Sequence, residues 1–266
     1  MAVEAAAGMT PDWYVVLLLC VVAATAGWVD AVSGGGGLLQ LPALLLAVPA
    51  DRPALALGTN KLSSIFGTSA AAITYGRIEM PRLRTALPMA AAAFAGAALG
   101  SLTAVHLPPM VFRPVILIAL VLVWLFIAFR RDFGLTAREV SRRRHLVTAV
   151  AGGLAIGFYD GAMGPGTGSF LIVLLVAAVG YTFLQASATA KIVNVGTNAA
   201  SLIVFGLAGS VLWGLGLLMA ACNVAGAIVG ARTAIARGSG FVRVVLLGVT
   251  GVLIALLGWQ TVTSLV

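Results

Sequence analysis

The sequence predicts an all-α polytopic membrane protein made of two inverted repeats of five segments each, with helices broken at glycines. Hydrophobic residues make up 61% of the 266-residue chain and charged residues only 9%, whereas a soluble domain carries roughly 25% charged residues. Several apolar runs approach the ~20 residues that an α-helix needs to cross the hydrocarbon core of a bilayer. The rare charges inside these runs recur at one fixed spacing, which indicates an internal duplication.

The duplication is defined by an offset of 130 residues. Lys61 and Lys191, the only lysines of the chain, are 130 residues apart (191 − 61), and Asp30 and Asp160 are separated by the same number (160 − 30). No gap is needed to align both charge types. Chance matches among the many glycines and alanines do not explain this pairing.

Each half of the chain contains five apolar segments. They span about 13–33, 38–49, 53–76, 85–106 and 111–129 in the first half, and about 146–163, 168–180, 183–209, 210–231 and 241–265 in the second. The second segment of each half has only about 12 residues, roughly 18 Å as a helix, and follows a glycine-rich break. The sequence leaves open whether this segment crosses the membrane or is re-entrant. We assign residues 1–135 to the first transmembrane repeat and residues 136–266 to the second.

Arginine-rich loops predict the orientation of the chain. Cytoplasmic loops carry an excess of Lys and Arg, and arginines cluster around residues 77–84, 130–144 and 232–243. The repeat equivalents of the first and last of these loops, around residues 209–210 and near His106, are poor in charge, so equivalent loops lie on opposite sides of the membrane. The two halves are therefore predicted to be inverted, with both termini on the outer (periplasmic or extracellular) side of the membrane.

The same composition argues against other function classes. The net charge of +8 comes mainly from arginines near the ends of the apolar segments, which is typical of membrane anchoring and not of nucleic-acid binding. The chain has two histidines, His106 and His145, and no arrangement of a nucleophile with a base. We therefore predict no enzymatic activity, and we expect no cofactor and no metal site.

Paired cations followed by hydrogen-bonding side chains form the candidate substrate site. Lys61, Ser64 and Thr68 follow the i, i+3, i+7 spacing of one helix face. The second half repeats that spacing with Lys191, Asn194 and Asn198. An intramembrane charge costs about 2.5–3.5 kcal/mol even on a lenient scale, so its repetition indicates a function. The alternative is that each lysine reaches the membrane surface or pairs with the neighbouring aspartate.

Glycine breaks complete this candidate site. A helix that begins at a break presents unpaired backbone N–H groups and a partial positive charge to an anion, and glycine lets a ligand approach the backbone closely. The glycines that we assign to substrate binding are Gly35, Gly36, Gly166 and Gly168. Asp30 and Asp160 precede the breaks, and two roles stay open for them: counter-charges for the lysines, or proton acceptors coupled to transport.

Glycines spaced by four residues are interpreted differently. The two matched pairs are Gly96 with Gly100 and Gly226 with Gly230. Both have the G-x-x-x-G pattern that lets membrane helices approach closely. We predict helix packing for them, not chemistry.

Two pairs of motifs surround the breaks and the lysines. The first half carries D-A-V-S-G-G-G-G-L-L-Q-L-P-A-L and then A-L-G-T-N-K-L-S-S, and the second carries G-F-Y-D-G-A-M-G-P-G-T-G-S-F and then A-T-A-K-I-V-N. These motifs resemble those of the sulfite exporter TauE/SafE family of bacterial membrane proteins, and the resemblance covers nearly the whole chain. It implies an anion transporter of the bacterial inner membrane whose substrates are sulfite, sulfonates or related organosulfur anions.

We therefore predict a secondary transporter that exports sulfite or sulfonates by alternating access. An inside-negative membrane supplies about 2.3 kcal/mol per charge per 100 mV, so a divalent anion can leave the cell without proton coupling. A passive anion channel and a carrier for carboxylate anions are the alternatives. The expected partners are the small anionic substrate and the lipid bilayer, with no nucleic acid, and a homodimer is left open.

Overall fold

The structure is a computed structural model that describes residues 12–49, 52–78, 82–104 and 141–263, with isolated positions between 118 and 137. The fold is all-helical throughout these residues. The helices are α1 (Trp13–Ser33), α2 (Gly37–Ala47), α3 (Pro53–Gly76), α4 (Leu83–Ala104), α5 (Arg142–Val147), α6 (Gly153–Ala162), α7 (Thr167–Leu174), α8 (Phe183–Leu207) and α9 (Trp213–Thr263). π-helical turns continue α5 over Thr148–Gly152 and α7 over Leu175–Val179.

Four of the described helices are long and apolar enough to cross a membrane. They are Trp13–Ser33, Leu83–Ala104, Phe183–Leu207 and, within α9, Trp213–Val252. Together with the apolar composition, they confirm the predicted class of an all-α multi-pass membrane protein. The predicted segment 111–129 and the arginine-rich stretch 130–138 lie largely outside the described residues, as does His106.

The last two predicted segments, 210–231 and 241–265, are joined in α9. Only Gly238 interrupts this helix, with φ 73° and ψ −172°, a conformation that favours glycine. The arginine-rich loop expected at this point is therefore a one-residue break. Arg237 and Arg243 flank it on helical backbone.

Helices α1 and α2 form the first hairpin, in which α2 turns back along α1. Leu19 and Ala23, in the first part of α1, share one buried cluster with Leu41 and Leu44 of α2. The chain reverses at Gly34, which follows α1 in the left-handed conformation that commonly ends a helix. At 11 residues, α2 spans roughly 16 Å. The short second segment thus folds back along α1 in this structure.

The second half contains a matching hairpin formed by α5–α6 and α7. The space beside Gly152, just before α6, is filled by the side chain of Leu174 at the end of α7. The π-helical turn after α7 also contacts α5. Therefore α7 returns toward the end of the bundle from which α5 starts.

The bases of the two hairpins lie at opposite ends of α8. Tyr181 follows the second hairpin and lies two residues before the start of α8. Beyond the other end of α8, the backbone N–H of Leu212 donates to Thr59 Oγ1 at 3.0 Å, near the start of α3, which follows the first hairpin. A helix of 25 residues separates the two bases by roughly 37 Å.

Reciprocal glycine contacts join the two halves. A Cβ added at Gly226 of α9 would overlap the carbonyl oxygen of Ala24 in α1. A Cβ at its counterpart Gly96 (226 − 130) would overlap the carbonyl oxygen of Leu154, the counterpart of Ala24 (154 − 130). The G-x-x-x-G glycines thus pack helices, as the sequence predicts. The division into two repeats and their inverted orientation stay predictions.

A capping box fixes the start of α8. Gln185 N donates to Thr182 Oγ1 at 3.2 Å, and Thr182 N donates to Gln185 Oε1 at 3.4 Å. We expect Thr182→Ala to lower the free energy of unfolding by about 1 kcal/mol, because one helix N–H loses its acceptor. Thermal unfolding in detergent measures this loss. Thr182→Ser keeps the hydroxyl and should retain most of the stability, so equal losses in both variants would contradict the capping role.

Candidate functional site

The tips of the two hairpins meet back to back. A Cβ added at Gly34 would overlap the backbone of Gly168. Both tips use the left-handed conformation, at Gly34 (φ 77°) and at Gly166 (φ 80°), which glycine adopts without steric cost. Ser169 Oγ donates to the carbonyl of Ser33 at 2.8 Å and links the two tips.

Two buried ion pairs hold these tips, and each pair connects one half of the chain to the other. Lys61 Nζ lies 2.8 Å from Asp160 Oδ2, and Lys191 Nζ lies 2.8 Å from Asp30 Oδ2. Each ammonium also donates to the backbone carbonyl of the same aspartate. The lysines are 2% and 0% exposed, respectively. The lysines therefore pair with aspartates, but each partner comes from the other half of the chain.

A small polar cavity of about 30 Å³ lies between the tips, α3 and α8. Six of the predicted substrate residues line it: Lys61, Ser64, Thr68, Asn194, Asn198 and Gly168. Asn198 Nδ2 donates to Thr68 Oγ1 at 3.5 Å. These two residues are matched at the 130-residue offset (198 − 68 = 130). The matched polar faces of α3 and α8 therefore contact each other here.

Four predicted substrate residues do not line the cavity in this structure: Lys191, Gly35, Gly36 and Gly166. Lys191 is buried, and its ammonium is held by the carboxylate of Asp30. The Asp30 side chain is 18% exposed and itself lines the cavity. Gly36 packs on the backbone of Ala26, and Gly35 faces the side chain of Val249. The glycines that do face the cavity with Gly168 are Gly34, Gly37 and Gly164.

Two polar residues of the cavity wall are missing from the predicted set. Asn60 lies next to Lys61, and Thr167 begins α7. Their counterparts at the 130-residue offset are Ala190 and Gly37, so a search for matched polar residues passes over both. Thr167 Oγ1 lies 2.7 Å from Asp160 Oδ1, which places it on the carboxylate of an ion pair.

The wall combines charge with hydrogen-bonding groups that have spare capacity. Asn60 and Asn194 are each 5% exposed, and the Oδ1 atom of each has no hydrogen-bond partner in the described structure. Buried amide oxygens in proteins are usually paired, so unpaired ones beside a cavity fit a site that a ligand or water completes. The donors that a small polar anion needs are the ammonium of Lys61 and the hydroxyl of Ser64 in the same wall.

Comparison with known proteins gives a consistent picture. The sequence profile of the sulfite exporter TauE/SafE family matches residues 19–257. The probable membrane transporter protein ORF9 of Sinorhizobium sp. is 38% identical over 87% of each chain. A probable membrane transporter protein of Haemophilus influenzae is 34% identical over 85% of this chain and 88% of its own. The probable membrane transporter protein YfcA of Escherichia coli is 33% identical over 90% and 87%, respectively. No solved structure matches the chain significantly.

Proposed function

The chain belongs to the sulfite exporter TauE/SafE family, and from this premise we propose that this membrane transporter exports sulfite or small sulfonates across the bacterial inner membrane. The observation that carries the proposal is the ammonium of Lys61 in the wall of a polar cavity between the hairpin tips. Sulfite and sulfonates present a compact group of negatively charged oxygens, which a lysine and neighbouring hydroxyl and amide groups bind well.

Substrate oxygens would accept a hydrogen bond from the ammonium of Lys61, beside the Asp160 carboxylate. Ser64 and Thr68 follow Lys61 along the same face of α3, and Asn194 and Asn198 face them from α8. The orientation of each amide can adapt to the ligand, because its oxygen and nitrogen can exchange places. The cavity thus offers both a charge and adjustable hydrogen bonds to an anion.

Alternating access is supported by the two-fold character of the site. The hairpins enter the bundle from opposite ends, and the Lys61–Asp160 pair of one tip has the Lys191–Asp30 pair as its counterpart at the other. Transporters built from inverted repeats bind substrate near the midplane, between broken helices. We propose that the second state opens the cavity beside Lys191 and closes it beside Lys61.

The membrane potential favours the export of any substrate that moves with a net negative charge. About 2.3 kcal/mol per charge per 100 mV favours the exit of an anion from an inside-negative cell. The predicted orientation, with arginine clusters in the cytoplasm and both termini in the periplasm, completes the proposed topology.

Flux measurements in proteoliposomes test the proposed function. We expect saturable flux of labelled sulfite and of a small sulfonate panel through wild type. Lys61→Ala and Lys191→Ala should each reduce it roughly tenfold or more, because each removes a charge-assisted hydrogen bond from the site or from its second state. Arg143→Ala, which removes an exposed cation outside the cavity, is the matched control and should retain the wild-type flux.

Each other result has a distinct meaning. Folded lysine variants with unchanged flux would show that the lysines are structural counter-charges only. A flux that rises linearly with concentration would favour a passive anion channel. Transport of carboxylates with no transport of any sulfur anion would show that the substrates are carboxylates. The assignment as a membrane transporter would be unaffected.

A further inference from the structure

The charges around the cavity compensate one another within the part of the chain that the structure describes. Lys61 and Lys191 are paired with Asp160 and Asp30, so the four groups sum to zero. An anion that binds to Lys61 adds a second negative charge to an ammonium that Asp160 already neutralises. The Asp160 side chain is only 6% exposed, so the carboxylate and the anion would then share one cation in a buried site. Binding of an anion alone is therefore opposed by the site as it stands.

The surroundings of Asp160 show how this charge can be removed. Thr167 Oγ1 lies 2.7 Å from Asp160 Oδ1 and 2.8 Å from the carbonyl oxygen of Gly164. A hydroxyl has one hydrogen, so it can donate to only one of these two acceptors at a time. If Asp160 carries a proton on Oδ1, the carboxyl donates to Thr167 and Thr167 donates to Gly164. Both short contacts are then hydrogen bonds.

We propose that Asp160 takes up one proton from water when an anion binds to Lys61, so that the transporter moves the anion and a proton together. The proton adds to Oδ1 of the carboxylate, and the ammonium of Lys61 keeps its charge and passes from the carboxylate to the anion. This inference rests on the proposed function, because it assigns the co-transported ion of the same site.

The second aspartate lacks the arrangement that makes Asp160 a proton acceptor. The counterpart of Thr167 at the first tip is Gly37, which has no hydroxyl. The ammonium of Lys191 lies outside the cavity wall and stays on Asp30. In this state, Asp30 is thus the fixed counter-charge of Lys191 and Asp160 is the exchangeable one.

The titratable and charged groups near Asp160 are few in the described structure. Lys61 faces it from α3, and Asp30, held by Lys191, lies across the cavity. Tyr159 precedes it on α6 and donates its hydroxyl hydrogen to the carbonyl of Pro165 at 2.6 Å. None of these groups supplies a second cation to the carboxylate once Lys61 also binds an anion.

Proton coupling changes the charge that moves with each substrate. A monovalent sulfonate with one proton carries no net charge, so its flux should not respond to membrane potential. A divalent anion with one proton still carries one negative charge, and the inside-negative potential still favours its export. The stoichiometry is therefore visible both in proton movement and in voltage dependence.

A methanesulfonate gradient across proteoliposomes tests the proposal. Unlike sulfite, a sulfonate does not exchange protons near neutral pH, so a pH-sensitive dye inside the vesicles reports the protein alone. We expect one proton to move per labelled anion in wild type, and an imposed potassium diffusion potential to leave the flux unchanged. In Asp160→Asn the proton-to-anion ratio should fall to near zero, and Thr167→Val should lower it while Thr167→Ser restores it.

Matched variants outside the cavity separate coupling from general damage. Asp12→Asn and Thr103→Val change the same residue types outside the cavity wall and should retain the wild-type ratio. Sulfonate flux without protons in wild type, or an unchanged ratio in Asp160→Asn, would overturn proton coupling while leaving the proposed transporter intact. If wild type moves neither methanesulfonate nor sulfite, the proposed substrate class fails and this inference fails with it.

Discussion

Replacing Lys191 with methionine should lower the free energy of unfolding by about 3–5 kcal/mol, the cost typical of removing one partner from a buried ion pair. Methionine keeps the length of the side chain and removes the ammonium. Asp30 then loses the ammonium that pairs with its carboxylate and also donates to its backbone carbonyl. Since Lys191 is completely buried, water cannot take the place of the ammonium.

The double variant Lys191→Met/Asp30→Asn should recover most of this stability. It removes both charges, and replacing a buried pair by neutral groups of similar size is often close to neutral. Unfolding measured in detergent for wild type, both single variants and the double variant gives the coupling between the two residues. Additive losses would contradict the ion pair. Arg84→Met, at an exposed cation, should change stability by no more than about 0.5 kcal/mol.

The second large effect is expected where α1 and α9 cross. Gly226→Ala should lower the free energy of unfolding by about 1–3 kcal/mol, the usual cost of overpacking a tight contact. The added Cβ would overlap the carbonyl oxygen of Ala24, and a backbone atom cannot move aside as the end of a side chain can. Gly226→Leu should be more damaging still and should prevent the two helices from packing.

Gly248→Ala is the matched control for this contact because it lies in the same helix. Nothing lies within 4 Å of a Cβ added at Gly248. There the substitution should stabilise the helix by about 0.5–1 kcal/mol, since alanine loses less backbone freedom on folding than glycine. If Gly226→Ala and Gly248→Ala unfold at the same temperature, close packing between α1 and α9 does not limit stability.

The sequence predicts the segments and the charged residues of the site well, because charges are rare in an apolar chain. A single offset identifies Lys61, Lys191, Asp30 and Asp160, and the structure brings all four to the hairpin tips. The offset does not predict which lysine meets which aspartate. Pairs within a half and pairs between halves satisfy it equally, and only the three-dimensional packing of the tips selects the crossed arrangement.

Other residues of the site have no matched counterpart at the 130-residue offset, so a search for matched residues does not find them. Thr167 and Asn60 line the cavity, but their counterparts are glycine and alanine. The length of α2 predicts that it cannot comfortably cross a bilayer, yet its direction depends on burial of Leu41 and Leu44 against α1. The π-helical turn over Thr148–Gly152 has no sequence pattern that we can identify.

The crossed ion pairs also constrain the order of events during biosynthesis. Lys61 and Asp160 are 99 residues apart, and Asp30 and Lys191 are 161 apart. At ~5–20 residues per second, a ribosome needs roughly 5–20 seconds after Lys61 to reach Asp160. During this interval the nascent first half holds a lysine and an aspartate whose final partners have not been made. Neither half can therefore reach its native state alone, and the charges of the first half become fully compensated only when the second half has been inserted.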